Sequence, residues 1–157
     1  MNIYLIRHGI AEKISPGKKD RERNLTAEGK QKLAEAALLW KDKINGFTAI
    51  FCSPYLRAVQ SAEIIAEATG YKGNIIEDAT LSPGSRTEDL IELANSSGES
   101  EIALVGHQPD LSDHVAVFTG GLENSASFKE GTIAKISFGG DAQTGNGKLE
   151  FLLPPPQ

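Results

Sequence analysis

The sequence of 157 residues has little sulfur, with one cysteine and one methionine. Its single cysteine, Cys52, cannot form an internal disulfide, which is typical of proteins in a reducing compartment. No apolar run approaches the roughly 18–20 residues that a membrane-spanning helix needs. The first residues, MNIYLIRHG, lack the charged region, long apolar stretch and cleavage site of a signal peptide. These absences predict a cytoplasmic protein that contacts no membrane.

Positive charge is also in deficit, since 16 Lys and Arg face 21 Asp and Glu and give a net charge of −5. This balance argues against nucleic acid as a partner. The charge is unevenly distributed, however, because residues 1–57 carry 11 basic and 6 acidic side chains. Such a basic half fits either a site that handles anions or an ordinary solvated, lysine-rich surface.

Short apolar runs alternate with longer stretches of helical periodicity. Strands are predicted at Asn2–Arg7, Thr48–Cys52, Asn74–Glu77, Glu101–Val105, Thr132–Phe138 and Lys148–Leu152. Helices are predicted at Thr26–Lys43, Pro54–Thr69, Ser85 to about Asn95, and 110–119. The alternation predicts an α/β fold, a three-layer α/β/α sandwich whose mainly parallel central sheet has an antiparallel C-terminal strand or two. One domain over residues 1–153 and an extended tail over 154–157 are expected.

Two helix starts carry specific cap signals. Ser53 followed by Pro54 predicts an N-cap with proline in the first helical position. Ser85 with Glu88 matches a capping box for the third helix.

Basic side chains and histidines follow three of the predicted strands. Arg7 and His8 come directly after the first strand, Arg57 lies one turn into the helix after the second, and His107 follows the strand EIALV. Ligands of open α/β sheets bind outside the carboxyl ends of the strands, so we expect these four side chains to meet at one edge. Guanidinium groups match phosphate geometry, and neutral imidazole can act as a nucleophile. The pattern therefore predicts metal-free phosphoryl transfer through a phosphohistidine.

Four segments in order resemble motifs of the histidine phosphatase superfamily, which includes the phosphoglycerate mutases. The segments are Leu5-Ile6-Arg7-His8-Gly9, Leu25-Thr26-x-x-Gly29, Ser53-Pro54-x-x-Arg57-Ala58-x-Gln60-Ser61-Ala62 and Gly106-His107-x-Pro109-x-Leu111-Ser112. Within that superfamily, the short chain length and the segments RNLT and GHQPDLS resemble the SixA-like phosphohistidine phosphatases most.

The resemblance implies a role for each of the four side chains. His8 would accept the phosphoryl group, Arg7 and Arg57 would clamp its oxygens, and His107 would donate to the phosphoryl group as charge builds.

The resemblance also implies further features of the site. Arg23 would be an additional basic residue of the pocket, with Arg21 as its competitor, and Gly9 would permit close approach of the backbone to the substrate. No metal and no organic cofactor are implied. The expected partner of this monomer is a phosphorylated protein, such as a histidine-phosphotransfer domain, or a small phosphorylated metabolite.

The chain departs from the larger superfamily members in one respect. Those members carry an acidic general acid after a middle strand, whereas here the stretch TLSPGSRTEDL places Glu88 and Asp89 inside a predicted helix. An alkoxide leaving group needs a proton, while the imidazole released from phosphohistidine attracts one through its own basicity. We therefore predict phosphohistidine as substrate, with a broad small-molecule phosphate monoesterase as the alternative.

Other chemistries fit less well. Cys52 and Arg57 are one residue too close for the C-x5-R loop of cysteine phosphatases, and an apolar strand should keep the Cys52 thiol protonated. The histidines lack metal-ligand spacing, and His114 is expected to be structural or on the surface. A non-catalytic module that binds phosphoproteins remains an alternative of another class.

Overall fold

Strands and helices alternate along the chain, as the apolar pattern predicts. The computed structural model describes residues 1–121 and 126–157. The elements are β1 (Asn2–Arg7), α1 (Ala27–Trp40), β2 (Ala49–Cys52), α2 (Leu56–Thr69), β3 (Ile75–Glu77), α3 (Thr87–Ser97), β4 (Glu101–Gly106), α4 (Asp110–Thr119), β5 (Ile133–Ser137) and β6 (Lys148–Leu153). Two short 3-10 helices lie at Asp20–Glu22 and Ala79–Leu81.

One sheet carries all these strands, in the order β3-β2-β4-β1-β5-β6. β1 pairs in parallel with β4, and β2 pairs in parallel with both β4 and β3. β5 is antiparallel to its two neighbours, β1 and β6. The predicted fold class, a mainly parallel sheet with an antiparallel C-terminal strand, is confirmed.

The central strand β1 shows why helices cover both faces of the sheet. Alternate residues of a strand point to opposite faces, and every interior residue of β1 is apolar. Ile3 and Leu5 belong to the same buried cluster as Phe118 of α4, on the face covered by α3 and α4. Tyr4 belongs to the cluster of Leu33, on the face covered by α1 and α2. The result is the predicted three-layer sandwich.

The predicted start of α2 is wrong by two residues. The helix begins at Leu56 with Tyr55 in the cap position, rather than at Pro54 with Ser53 as the cap. The Ser53 hydroxyl accepts from the Tyr55 N–H at 3.1 Å and lies 2.8 Å from Nε2 of His107. The Ser53 hydroxyl therefore contacts His107, which follows the neighbouring strand β4, rather than capping α2.

The capping box predicted for α3 is also wrong. The helix begins at Thr87 with Arg86 in the cap position, and no side chain caps it. The Ser85 hydroxyl lies 3.2 Å from Nε2 of His114 on α4. The hydroxyl predicted to cap α3 therefore contacts a different helix instead. By contrast, the predicted cap of α1 is confirmed, since the Thr26 hydroxyl accepts from the Gly29 N–H at 2.9 Å.

The last residues, 154–157, have no regular secondary structure. Pro155 packs over Gly131, the residue two before β5 begins. In the described parts of the chain, no helix has the length and apolar character needed to cross a membrane.

Gly29 is expected to tolerate no side chain, although it lies in the first turn of α1. An added Cβ would overlap the backbone carbonyl oxygen of Ile10. A glycine-to-alanine change inside a helix ordinarily stabilises a protein by about 1 kcal/mol. We predict instead that Gly29→Ala lowers the free energy of unfolding by about 2 kcal/mol, measured by urea denaturation, because the backbone must shift.

Gly139→Ala is the matched control, since nothing lies within 4 Å of a Cβ added there. Its free energy of unfolding should change by no more than about 0.5 kcal/mol. Equal effects of the two substitutions would contradict the close approach between α1 and the loop after β1.

Candidate active site

The carboxyl ends of β1 and β4 place two histidines side by side. Arg7 pairs with Gly106 in the parallel register, so His8 and His107 follow the ends of adjacent strands. Their ring centroids are 5.2 Å apart. Arg57, in the first turn of α2, donates from Nε to Nε2 of His8 at 3.3 Å. All four side chains predicted to meet line one cavity of about 300 Å³.

His8 is held in one tautomer by its own loop. Nδ1 lies 2.7 Å from the carbonyl oxygen of Gly9, which can only accept, so Nδ1 carries the hydrogen and Nε2 keeps its lone pair. The residue is 7% exposed. Burial, helped by the positive charges of Arg57 and Arg7, lowers the pKa of His8 to about 4. At neutral pH the imidazole is therefore uncharged, and Nε2 is available as a nucleophile.

His107 has the opposite arrangement of its ring nitrogens. Its Nε2 lies 2.8 Å from the Ser53 hydroxyl, which accepts from the Tyr55 N–H and so has its own hydrogen free to donate. When that hydroxyl donates to Nε2, the ring hydrogen lies on Nδ1, a buried atom with no hydrogen-bond partner among residues 1–121 and 126–157. Burial first, then the neighbouring His8 and Arg57, lower the pKa of His107 to about 3. At neutral pH the His107 ring is therefore uncharged.

Arg57 is fixed on three sides. Nη1 donates to the backbone carbonyl of Asp20 at 2.9 Å, and Nη2 donates to the Asp20 carboxylate at 3.3 Å. The guanidinium carbon lies 5.2 Å from the centre of the Tyr55 ring, within cation–π range. With 6% of its surface exposed, this buried cation is compensated by a carboxylate and oriented before any ligand arrives.

Arg7 is held on the other side of the cavity. Its Nη1 donates to the carbonyl of Phe128 at 2.9 Å and lies 3.6 Å from the Glu130 carboxylate. Its Nε is buried and has no protein acceptor within the described residues. Two fixed guanidiniums and two neutral imidazoles around one cavity suit a phosphoryl group, since its transfer needs positioning and charge neutralisation.

Comparison with known proteins identifies the family of this chain. A family model described as the histidine phosphatase superfamily (branch 1) matches residues 3–83. The chain belongs to this superfamily.

Individual proteins with known sequences or structures are also similar to this chain. An uncharacterized protein of Picosynechococcus is 33% identical over 115 residues, which cover 72% of this chain and 70% of the relative. A phosphohistidine phosphatase SixA homolog of Haemophilus influenzae is 30% identical, covering 98% of this chain and 94% of the homolog. The structure of the protein histidine phosphatase SixA complexed with tungstate has a TM-score of 0.85 at 22% identity, covering 98% and 96% of the two chains.

Of the two arginines considered for this histidine phosphatase pocket, Arg23 lines the cavity and Arg21 is exposed to solvent. Arg23 donates from Nε to the carbonyl of Glu12 at 2.6 Å and from Nη1 to the Asp20 carboxylate at 2.8 Å. Its guanidinium is therefore held by two hydrogen bonds.

The structure does not bring Gly9 to the lining of the same cavity. Gly9 lines a neighbouring cavity of about 500 Å³, and its N–H donates to the Ser61 hydroxyl at 3.0 Å. A Cβ at Gly9 would lie 3.3 Å from the carbonyl oxygen of Gly29, so close packing against α1 explains the absence of a side chain here. Ser61 also donates to the carbonyl of Arg57 at 2.7 Å, which ties the His8 loop to α2.

Two carboxylates that the motif pattern did not identify line the histidine phosphatase cavity, those of Asp20 and Glu130. Glu88 and Asp89, the acids considered from sequence, lie on α3 and are absent from this lining. The one local signal for Asp20 is its position three residues before Arg23, a spacing that lets a single turn pair their charges.

The remaining reactive side chains lie away from the cavity. Burial raises the pKa of the Cys52 thiol to about 12, so it remains protonated within β2. His114 is buried against α3, with Nδ1 2.6 Å from the Thr87 hydroxyl, as expected of a structural residue. Within residues 1–121 and 126–157, no cluster of three His, Cys, Asp or Glu side chains is placed to hold a metal ion.

The three buried histidines should make the protein less stable in mild acid. Each is lowered in pKa to about 3 or 4, against about 6.5 when unfolded, so the unfolded state binds more protons between these values. Stability is therefore full above about pH 6.5 and declines as the pH falls toward 4. We predict a loss of about 1–2 kcal/mol per histidine between pH 7 and pH 5, measured by urea unfolding.

Imidazole NMR gives an independent check on the same histidines. None of the three should take up a proton between pH 8 and pH 5 in the folded protein. A ring that titrates near pH 6.5 would contradict its assigned environment.

Proposed function

We propose that this superfamily member removes the phosphoryl group from phosphohistidine in a protein, through a phosphohistidyl intermediate on His8. The observation that carries the proposal is the Nε2 atom of His8, which keeps its lone pair and lies 3.3 Å from the Arg57 Nε–H. A nucleophile and an oxyanion donor are thus joined in one cavity. A module that only binds phosphoproteins has no use for this nucleophile.

In the first step, the Nε–H of Arg57 moves from Nε2 of His8 to a phosphoryl oxygen, which frees the lone pair, and Arg7 and Arg57 together neutralise the phosphoryl charge. The Nδ1–H of His107 donates to a phosphoryl oxygen. Nε2 of His8 attacks phosphorus in line, the P–N bond of the substrate breaks, and its electron pair stays on the departing imidazole. The substrate ring carries a proton on its other nitrogen, so it departs as neutral imidazole.

In the second step, water attacks phosphorus and the bond to Nε2 of His8 breaks. The electron pair returns to Nε2, the water proton goes to solvent, and inorganic phosphate leaves. The Nδ1–H of His8 stays on the Gly9 carbonyl through both steps and stabilises the positive charge of the phosphorylated ring.

The protonation states in the cavity favour a nitrogen leaving group. The hydrogen bond from Arg23, with the charge of Arg57, lowers the pKa of the Asp20 carboxyl, so this acid is ionised at neutral pH. His107 is neutral, with a pKa of about 3. Neither group holds an acidic proton for an alkoxide, whereas imidazole requires none as it departs.

Two further parts of the proposal concern where and how the protein acts. The phosphorylated partner is a protein, in keeping with the relative described as a phosphohistidine phosphatase. The single buried cysteine suits the cytoplasm, and the site is complete within one chain, which supports action as a monomer.

Replacement of the nucleophile tests the covalent step. With His8→Ala we expect phosphatase activity to fall by on the order of 10³-fold or more, because the variant lacks the proposed nucleophile. Brief mixing of wild-type protein with phosphohistidine substrate should trap an acid-labile, alkali-stable phosphoprotein that His8→Ala does not form. Arg57→Ala should lose most of the turnover.

Arg21→Ala is the matched control for Arg57→Ala, since Arg21 lies on the 3-10 helix that contacts Arg57 but is itself exposed to solvent. It should retain wild-type activity. Near-wild-type turnover by His8→Ala would overturn the mechanism.

A substrate comparison tests the leaving-group preference. We expect kcat/KM for a phosphohistidine protein to exceed that for phosphoserine by about 100-fold, because only the alkoxide leaving group of the ester needs a proton donor. The non-enzymatic hydrolysis of each substrate is subtracted. Equal or faster ester hydrolysis would support a small-molecule phosphate monoesterase, and tight binding without phosphate release would support a binding module.

A further inference from the structure

Asp20 contacts the edge of Arg57 that points away from the nucleophile. A guanidinium can bind two acceptors along its Nη1–Nη2 edge or along its Nε–Nη2 edge. The backbone carbonyl and carboxylate of Asp20 occupy the first edge, at 2.9 and 3.3 Å. The Nε–Nη2 edge is thereby turned toward His8, where Nε lies 3.3 Å from Nε2. A phosphoryl oxygen next to His8 would meet donors that Asp20 has already oriented.

The same carboxylate also places a negative charge in the phosphoryl cavity. Its second oxygen accepts from Nη1 of Arg23 at 2.8 Å, so the carboxylate bridges two cavity-lining arginines. The side chain is 41% exposed and lines the cavity itself. A bound phosphate dianion would therefore be attracted by Arg23 and Arg57 and repelled by Asp20 between them.

This repulsion would assist product release in a hydrolytic cycle. Every turnover leaves inorganic phosphate in a cavity whose groups bind phosphoryl oxygens. A cavity with arginines alone would bind this product tightly and release it slowly. An ionised carboxylate on the same arginines weakens product binding while leaving their geometry intact.

We propose that Asp20 is a positioning residue with two effects: it orients Arg57 toward His8, and it speeds the release of inorganic phosphate by opposing its charge. The inference rests on the proposed phosphatase function, since it assigns a step of that cycle to this side chain. Asp20 touches the arginines and acts through them.

Asp20→Asn tests the inference, because asparagine keeps the size and an acceptor oxygen but removes the charge. We expect inorganic phosphate to bind about tenfold more tightly at low ionic strength, as removal of a unit charge a few Å from an anion predicts at a partly exposed site. Isothermal titration calorimetry with phosphate alone measures this affinity. The difference from wild type should shrink in 0.5 M salt, which screens exposed charges.

Turnover should move in the opposite direction. We expect kcat of Asp20→Asn to fall several-fold while phosphate becomes a stronger product inhibitor. A residue that only stabilised the loop would, when replaced, weaken phosphate binding and turnover together. Unchanged or weaker phosphate binding by Asp20→Asn would overturn the proposal.

Two variants serve as controls. Glu22→Gln makes the same change in charge on the same 3-10 helix, but Glu22 is exposed and contacts the Lys19 backbone N–H, outside the cavity. Its phosphate affinity should stay within about twofold of wild type, because the distant charge is screened. Asp20→Glu keeps the charge and should restore phosphate affinity toward the wild-type value.

The calorimetric measurement requires no turnover, so the two proposals can fail separately. Equal phosphate affinities of wild type and Asp20→Asn overturn the role of Asp20, whatever the substrate is. A wild-type protein that binds phosphate but hydrolyses no phosphorylated substrate overturns the proposed function, whatever Asp20→Asn does.

Discussion

The parallel register between β1 and β4 is the constraint on which the site depends. It sets Arg7 opposite Gly106, so that the chain delivers His8 and His107 from neighbouring strand ends. A slip by one residue would turn every side chain of β1 to the other face and place Ile3 and Tyr4 in the wrong clusters. Because both faces are filled with different apolar partners, core packing enforces the register that the chemistry uses.

The positive charges of the cavity are paired with carboxylates from segments outside the sheet. Arg57 and Arg7 each have a carboxylate partner, Asp20 and Glu130, from segments far away in sequence. Burying a cation without a partner is costly, so these carboxylates stabilise the folded protein as well as shaping the site. The buried histidines avoid the cost of burying a charge because they remain neutral. The neutral form is also the one that a nucleophilic histidine requires.

The sequence predicted the four central side chains because their placement follows from strand ends alone. The α/β alternation determines the direction of each strand, and these side chains lie at or just after the carboxyl ends of three strands: Arg7, His8, Arg57 and His107. The sequence did not predict Asp20, because its partner Arg57 is 37 residues away. Basic and acidic residues alternate in the segment around Asp20, and no local pattern shows which carboxylate lines the cavity. Ser53 was predicted as a helix cap because its hydroxyl suits both a cap and a histidine, and only the fold decides between them.

The hydrogen bond between Nδ1 of His8 and the Gly9 carbonyl has a chemical consequence beyond orientation. Histidine can carry phosphate on either ring nitrogen, and the two products are different isomers with different reactivity. With Nδ1 engaged by an acceptor at 2.7 Å, only Nε2 is open to phosphorus. A single backbone carbonyl thereby makes the site regiospecific, so that any phosphoenzyme formed on His8 is the 3-phosphohistidine isomer.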